Sequence, residues 1–188
     1  MSPHGQWHYF SETERRKWQN PDTILTEMGL KTGDTFMDIG CGEGFFTIPA
    51  ARLVGPSGKV FGLDTNASAI EALRRKASAE GLKNIELKFG AAEEILLCQD
   101  CADMIFLGTV LHDFQNPSQV MKTIRQMVKA EGKLVNLDWK KTAMNMGPPP
   151  AIRFDEATAS RLIESAGFKV TTVKDSGPYH YIIVAAPR

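Results

Sequence analysis

Asp38 is the one acid in an apolar run that is followed at once by three alternating glycines, Gly40, Gly42 and Gly44, in "FMDIGCGEGFF" at 36–46. A glycine-dense turn straight after a strand lets the backbone come close to a ligand. Asp64 closes a second apolar run, "KVFGLD", 24 residues beyond Gly40. At that distance an acid ending the second strand can accept both hydroxyls of a ribose. A dinucleotide loop reads G-x-G-x-x-G and seats a pyrophosphate on a helix N-terminus. Here the spacing is G-x-G-x-G, and Phe45 holds the sixth position. A P-loop needs a lysine after its last glycine, and this loop has none. An acid beside the glycines repels a pyrophosphate and favours a cation. A ligand with a ribose, a cation and no phosphate is S-adenosyl-L-methionine.

Other residues compete for chemical roles. His112 and Asp113, in "VLHDF", follow the fourth apolar run. A histidine there can position or deprotonate a substrate, or it can be scaffolding for the cofactor site. Cys98 and Cys101 make a C-x-x-C. A zinc site would need a second pair, so no metal is expected. A soft ligand such as trivalent arsenic would accept two thiolates. However, the pair precedes the fourth strand, whose amino end faces away from the cofactor, so it reads as two incidental thiols. Cys41 reads as packing. The aromatics "WHYF" at 7–10 either close over the cofactor or pack as an N-terminal cap.

The acids and glycines need a sheet to bring them together. Short apolar runs at 35–39, 59–63, 85–89, 103–107, 133–137, 169–173 and 181–185 fit strands buried on both faces. Ser11 with Glu14 makes a capping box ahead of a helix over 12–28. A helix near 44–54 must keep Pro49 in its first turn or at a kink. Asn66 caps a helix that ends before Gly81. Asn116 and Pro117 start another, with Val128 inward and Gly132 as its stop, and Asp155 starts a last one ending at Gly167. Strands alternating with helices argue a parallel α/β sheet. "KKTAMNMGPPPAIRF" at 140–154 is irregular and leaves the carboxyl edge, where ligands of such sheets bind.

Length and charge bound the rest. The 188 residues suit one domain. Lys plus Arg and Asp plus Glu are both 22, so no general attraction to nucleic acid or anionic lipid is expected. The N-terminus lacks a basic start followed by an apolar core, no run spans a bilayer, and three cysteines make no disulfide framework. A reducing cytoplasm is the expected location.

"FMDIGCGEG", "VFGLDTN", "IELKFGAAEE" and "ADMIFLGTVLHDF", in this order and spacing, resemble the signature motifs of the Rossmann-like S-adenosylmethionine-dependent methyltransferases. The closest branch is the small-molecule one that includes ubiquinone/menaquinone C-methyltransferases and arsenite methyltransferases. The resemblance covers roughly 30–188, leaving 1–29 as a helical cap. It implies a three-layer α/β fold, with a seven-stranded, mostly parallel sheet whose last strand is antiparallel. It implies that Gly40, Cys41, Gly42 and Gly44 line the methionine part and that Asp38 helps hold the ammonium. Asp64 takes the ribose, with Thr65 and Asn66 beside the adenosine. Ala91, Ala92 and Glu93 sit by the adenine, and Leu107, Gly108 and Thr109 run under the cofactor. The family often has Asp where Ala91 stands, so Glu93 or backbone oxygens replace it, or the adenine is held more loosely. A closing hairpin puts Tyr179 and His180 at the carboxyl edge, and with His112 and Trp139 they become candidates for contact with the acceptor. The reading is a methyltransferase acting on a small molecule. Its rivals are an RNA or protein methyltransferase, disfavoured by "LGTV" standing in place of "NPPY", and a cofactor-binding protein without chemistry.

Overall fold

The computed structural model describes residues 11–188; "WHYF" lies outside them. Two short helices come first, α1 (Glu12–Trp18) and α2 (Pro21–Glu27). The sequence predicted one helix over 12–28. Pro21 divides it, because a residue before proline is pushed out of the helical region. Asn20 stands at that break, at φ −75° and ψ 113°, and its side chain caps the second helix through Thr23 N–H. The Ser11–Glu14 capping box is present.

The chain then alternates through β1 (Thr35–Ile39), α3 (Thr47–Val54), β2 (Lys59–Asp64), α4 (Ala67–Ala79), β3 (Ile85–Phe89) and β4 (Ala102–Gly108). A 3₁₀ turn at Leu111–Asp113 leads to α5 (Pro117–Met127), β5 (Val128–Trp139), α6 (Glu156–Ser165), β6 (Phe168–Ser176) and β7 (His180–Pro187). Pro49 is the third residue of α3, where its missing N–H has no helical partner to lose. Among the described residues seven strands form one sheet, ordered β3-β2-β1-β4-β5-β7-β6. The β3, β2, β1, β4 and β5 pairings are parallel, and β7 runs antiparallel to both β5 and β6.

Alternate residues of the central strands enter different cores. Met37, Ile39, Ile105, Leu107 and Leu134 meet α5 and α6 on one face. Phe36, Met104, Phe106, Val135 and Leu137 meet α2 and α3 on the other. This is why these strands read as continuous apolar runs. The fifth strand departs from the sequence reading. It begins at Val128, not near Lys133, and α5 stops at Met127 rather than at Gly132. Gly132 lies within the strand because a Cβ there would fall 2.6 Å from the Ala102 carbonyl oxygen. Pairing to β4 shifts register between Ala102 and Met104, and that shift needs the close approach.

Cys98 and Cys101 are joined by a disulfide, not left as separate thiols. Asp100 turns back at φ 47°, which brings the two Cα atoms to 6.1 Å, within bridging range. No helix of the described residues is long and apolar enough to cross a membrane.

Candidate functional site

Parallel pairing puts the carboxyl ends of β1, β2 and β4 on one edge, and a cavity of about 970 Å³ opens there. Two acids frame it from adjacent strands. Asp38 is 2% exposed, and one of its oxygens accepts the Thr47 hydroxyl at 2.6 Å. Burial pushes its carboxyl up to about 7, with the Thr47 hydrogen bond opposing; Asp64 adds repulsion and Arg15 relieves some of it. A buried acid in that condition gains from a cationic partner. Asp64 sits at the end of β2 and organises the loops around it. One oxygen accepts Gly42 N–H at 2.7 Å and the other accepts Asn66 N–H at 2.8 Å. Each oxygen can accept a further hydrogen bond.

The glycines divide the work. Gly42, at φ 51°, has open space where a side chain would stand, so its backbone faces the cavity bare. A Cβ at Gly40 would lie 2.5 Å from Val110 Cγ2, so this glycine lets the loop after β4 close over the loop after β1. Gly44 lies outside the cavity lining, where a side chain would run into Leu73 of α4. Leu107 is also outside it, fully buried in the core. The lining contains Asp38, Gly40, Cys41, Gly42, Asp64, Thr65, Asn66, Ala91, Ala92, Glu93, Gly108 and Thr109. Glu93 also accepts the Asn116 backbone N–H at 3.2 Å, tying the loop after β3 to the start of α5. Cys41 is buried, and burial pushes its thiol far up, so it is held neutral.

Sequence reasoning missed the contribution of α1. Glu12 and Arg15 line the cavity, and the Arg15 guanidinium carbon lies 3.9 Å from the Phe45 ring centroid. The capping box marked the helix, but nothing in the local pattern marked its direction. Phe46, Val110 and Phe114 also line the cavity.

The four residues expected around an acceptor do not converge on this cavity. His112 turns inward, with its side chain 4% exposed and Nδ1 2.8 Å from Asp138 Oδ1. Burial by itself lowers its pKa, but the hydrogen bond and charge of Asp138, helped by Asp113, outweigh that and raise it overall. His112 thus ties the turn after β4 to the end of β5. Trp139, Tyr179 and His180 gather instead with Trp18 of α1. The His180 and Trp18 rings stack at 5.3 Å and 8°, and Trp139 lies 4.2 Å from His180. His180 is fully buried, and burial, with the nearby cations Arg15, Arg153 and Lys140, drives it down to about 3, so it stays neutral. None of these four residues lines the cavity, whereas Asp113 does.

The proline-bearing stretch at 140–154 is tied to Arg153, which is 3% exposed. Its guanidinium donates to the carbonyls of Pro148 at 2.7 Å, Met146 at 2.8 Å, Lys140 at 2.9 Å and Thr142 at 3.2 Å.

Comparison with known proteins agrees with this fold. A family model described as a methyltransferase domain matches residues 30–172. A demethylmenaquinone methyltransferase of Lactobacillus johnsonii is 35% identical over 112 residues, 59% of this chain and 46% of that protein. The chain spans about half the length of the curated relatives it matches. Among solved structures, a SAM-dependent methyltransferase from Aquifex aeolicus is 28% identical with a TM-score of 0.88, covering 96% of this chain and 100% of that one. The [4+2]-cyclase SpnF, 15% identical with a TM-score of 0.79 over 98% of this chain and 87% of its own, shares the fold alone. With Asp38 near the end of β1 and Asp64 at the end of β2 around a bare glycine turn, and with residues 30–172 matched, the chain belongs to the methyltransferase domain family, in its Rossmann-like class, whose cofactor is S-adenosyl-L-methionine.

Proposed function

We propose that the chain moves the methyl group of S-adenosyl-L-methionine to a small organic acceptor. The observation that carries this reading is the pair of strand-end acids around the bare Gly42 backbone. Asp38 would hold the ammonium and Asp64 the ribose hydroxyls. The cofactor supplies a methyl group that its sulfonium already makes electrophilic. The chain's task is then to align a nucleophile and exclude water. The small-molecule choice draws on the relatives named demethylmenaquinone methyltransferase and on a formal net charge of zero. Asp113, half-exposed at the cavity wall, stands nearer an incoming acceptor than the buried His112 and is the better candidate to meet it.

Labelled cofactor decides the matter. The chain is incubated with S-adenosyl-L-methionine carrying a labelled methyl group, with a 1,4-naphthoquinol and simple phenols in one arm and bulk transfer RNA or protein in the other. Label is expected in the small organic fraction. Label in RNA or protein would replace this reading with its rival, and tight cofactor binding with no transfer in either arm would point to a binding protein. Asp64→Ala should cost roughly 2–4 kcal/mol of cofactor affinity through two lost charge-assisted hydrogen bonds.

A further inference from the structure

The charge around the cavity suits most of the cofactor but not all of it. Its lining carries seven carboxylates and two cations among the described residues. The ammonium and sulfonium of S-adenosyl-L-methionine fit that surplus, whereas its carboxylate is repelled by it. An α-amino acid end carries both charges on one carbon and so needs an acid and a base side by side. Lys76 already reaches Glu43, with Nζ 3.1 Å from Oε2 and 3.2 Å from the carbonyl oxygen. Arg15 is differently placed. Its Nε donates to Gln19 Oε1 at 2.5 Å, and its two terminal nitrogens make no hydrogen bond among the described residues. Phe45 supports one side of the guanidinium, and Arg15 and Asp38 are close enough for each to shift the other's proton affinity.

The helix that carries Arg15 is seven residues long and buries none of them. A helix that short has little stability of its own, so side-chain contacts hold it in place. One is Arg15 on Phe45; another, one turn later on the same side, is Trp18 stacked on His180. We propose that Arg15 receives the carboxylate at the amino-acid end of the cofactor, and that α1 thereby acts as a clasp, tightening when that end arrives and fixing Trp18 against the aromatic group formed with Trp139 and His180. The inference rests on the cofactor assignment above and adds a second cationic contact and a mechanical consequence.

The test compares S-adenosylhomocysteine with 5′-methylthioadenosine, which has the nucleoside and sulfur but no amino-acid end. Calorimetry on the full chain should show Arg15→Ala weakening S-adenosylhomocysteine at least tenfold while moving 5′-methylthioadenosine by less than threefold. Binding of the second ligand also reports that the cavity is intact. Arg15→Lys should recover part of the loss. In the unaltered protein, amide exchange over 12–18 should slow more with S-adenosylhomocysteine than with 5′-methylthioadenosine. Equal losses for both ligands, no loss for either, or exchange over 12–18 indifferent to the amino-acid end would each overturn the proposal. An unaltered chain that bound neither ligand would overturn the cofactor assignment itself, and this inference with it.

Discussion

Asp38 is the residue on which acid–base behaviour should centre. Its folded-state value, about 7, lies above the ordinary 3.8. A raised value means that the folded state favours the proton. The associated stability is therefore full below about pH 4 and lost as pH rises through about 7. Cofactor-free protein should thus unfold more easily in denaturant at pH 8 than at pH 5 on account of this group, and Asp38→Asn should flatten the trend. Binding should show the opposite slope. An ammonium needs the charged carboxylate, so affinity for S-adenosylhomocysteine should fall from pH 8 to pH 6, while that for 5′-methylthioadenosine should hold steady. Matching slopes for the two ligands would remove Asp38 from the ammonium site. Thr109 makes a second residue-scale case. It lies at φ 62°, a region hostile to a β-branched side chain, while its N–H donates to Leu137 O at 2.7 Å. Strain of this kind costs about 1–3 kcal/mol and gathers at functional sites. Thr109→Asn, which tolerates the left-handed region, should raise stability by about 1 kcal/mol in urea melts; a loss of that size would show that the threonine is not strained.

At the scale of elements, the stretch between β5 and α6 shows how irregular chain is held at a functional edge. Three consecutive prolines, Pro148, Pro149 and Pro150, stiffen it, but stiffness does not choose a position. Arg153 does, by gathering four carbonyls of the stretch around one guanidinium. Arg153→Ala should destabilise the fold by about 1–3 kcal/mol, since it strips charge-assisted bonds from a part-buried set. Proteolysis within 140–152 should quicken, while S-adenosylhomocysteine binding stays within threefold, because the cavity lining contains none of these residues. Unchanged proteolysis would mean that the prolines suffice. The 98–101 disulfide closes a very short loop, so its contribution through the unfolded chain is about 2 kcal/mol. The double variant Cys98→Ser, Cys101→Ser should melt earlier and bind cofactor normally; lost methyl transfer with binding intact would give the pair a chemical role.

At the scale of the whole molecule, ligand and fold are one equilibrium. A ligand at 100 times its dissociation constant stabilises the folded state by about 2.7 kcal/mol. For a chain of this length that is a rise in Tm of about 5–10 °C. S-adenosylhomocysteine should produce it and NAD should not; a rise with NAD alone would reverse the argument from glycine spacing. Most of the architecture was legible in the chain itself. Apolar runs ending in Asp38 and Asp64, the caps at Ser11, Asn66, Asn116 and Asp155, and the glycine turn are local signals, because backbone geometry and hydrogen-bond satisfaction act over a few residues. Pro21 is such a signal too, and it divides the helix expected over 12–28. Other features depend on neighbours distant in sequence. Val128 became strand because Ala102 of β4 offered a partner, although its local pattern was helical. His112 found Asp138, and His180 found Trp18, across 26 and 162 positions of chain respectively. Which way a side chain turns at the end of a strand is decided by what else reaches that edge. The kinds of residue at the carboxyl edge were therefore determined by the sequence alone, while tertiary packing decided that Arg15 faces the cavity and His112 does not.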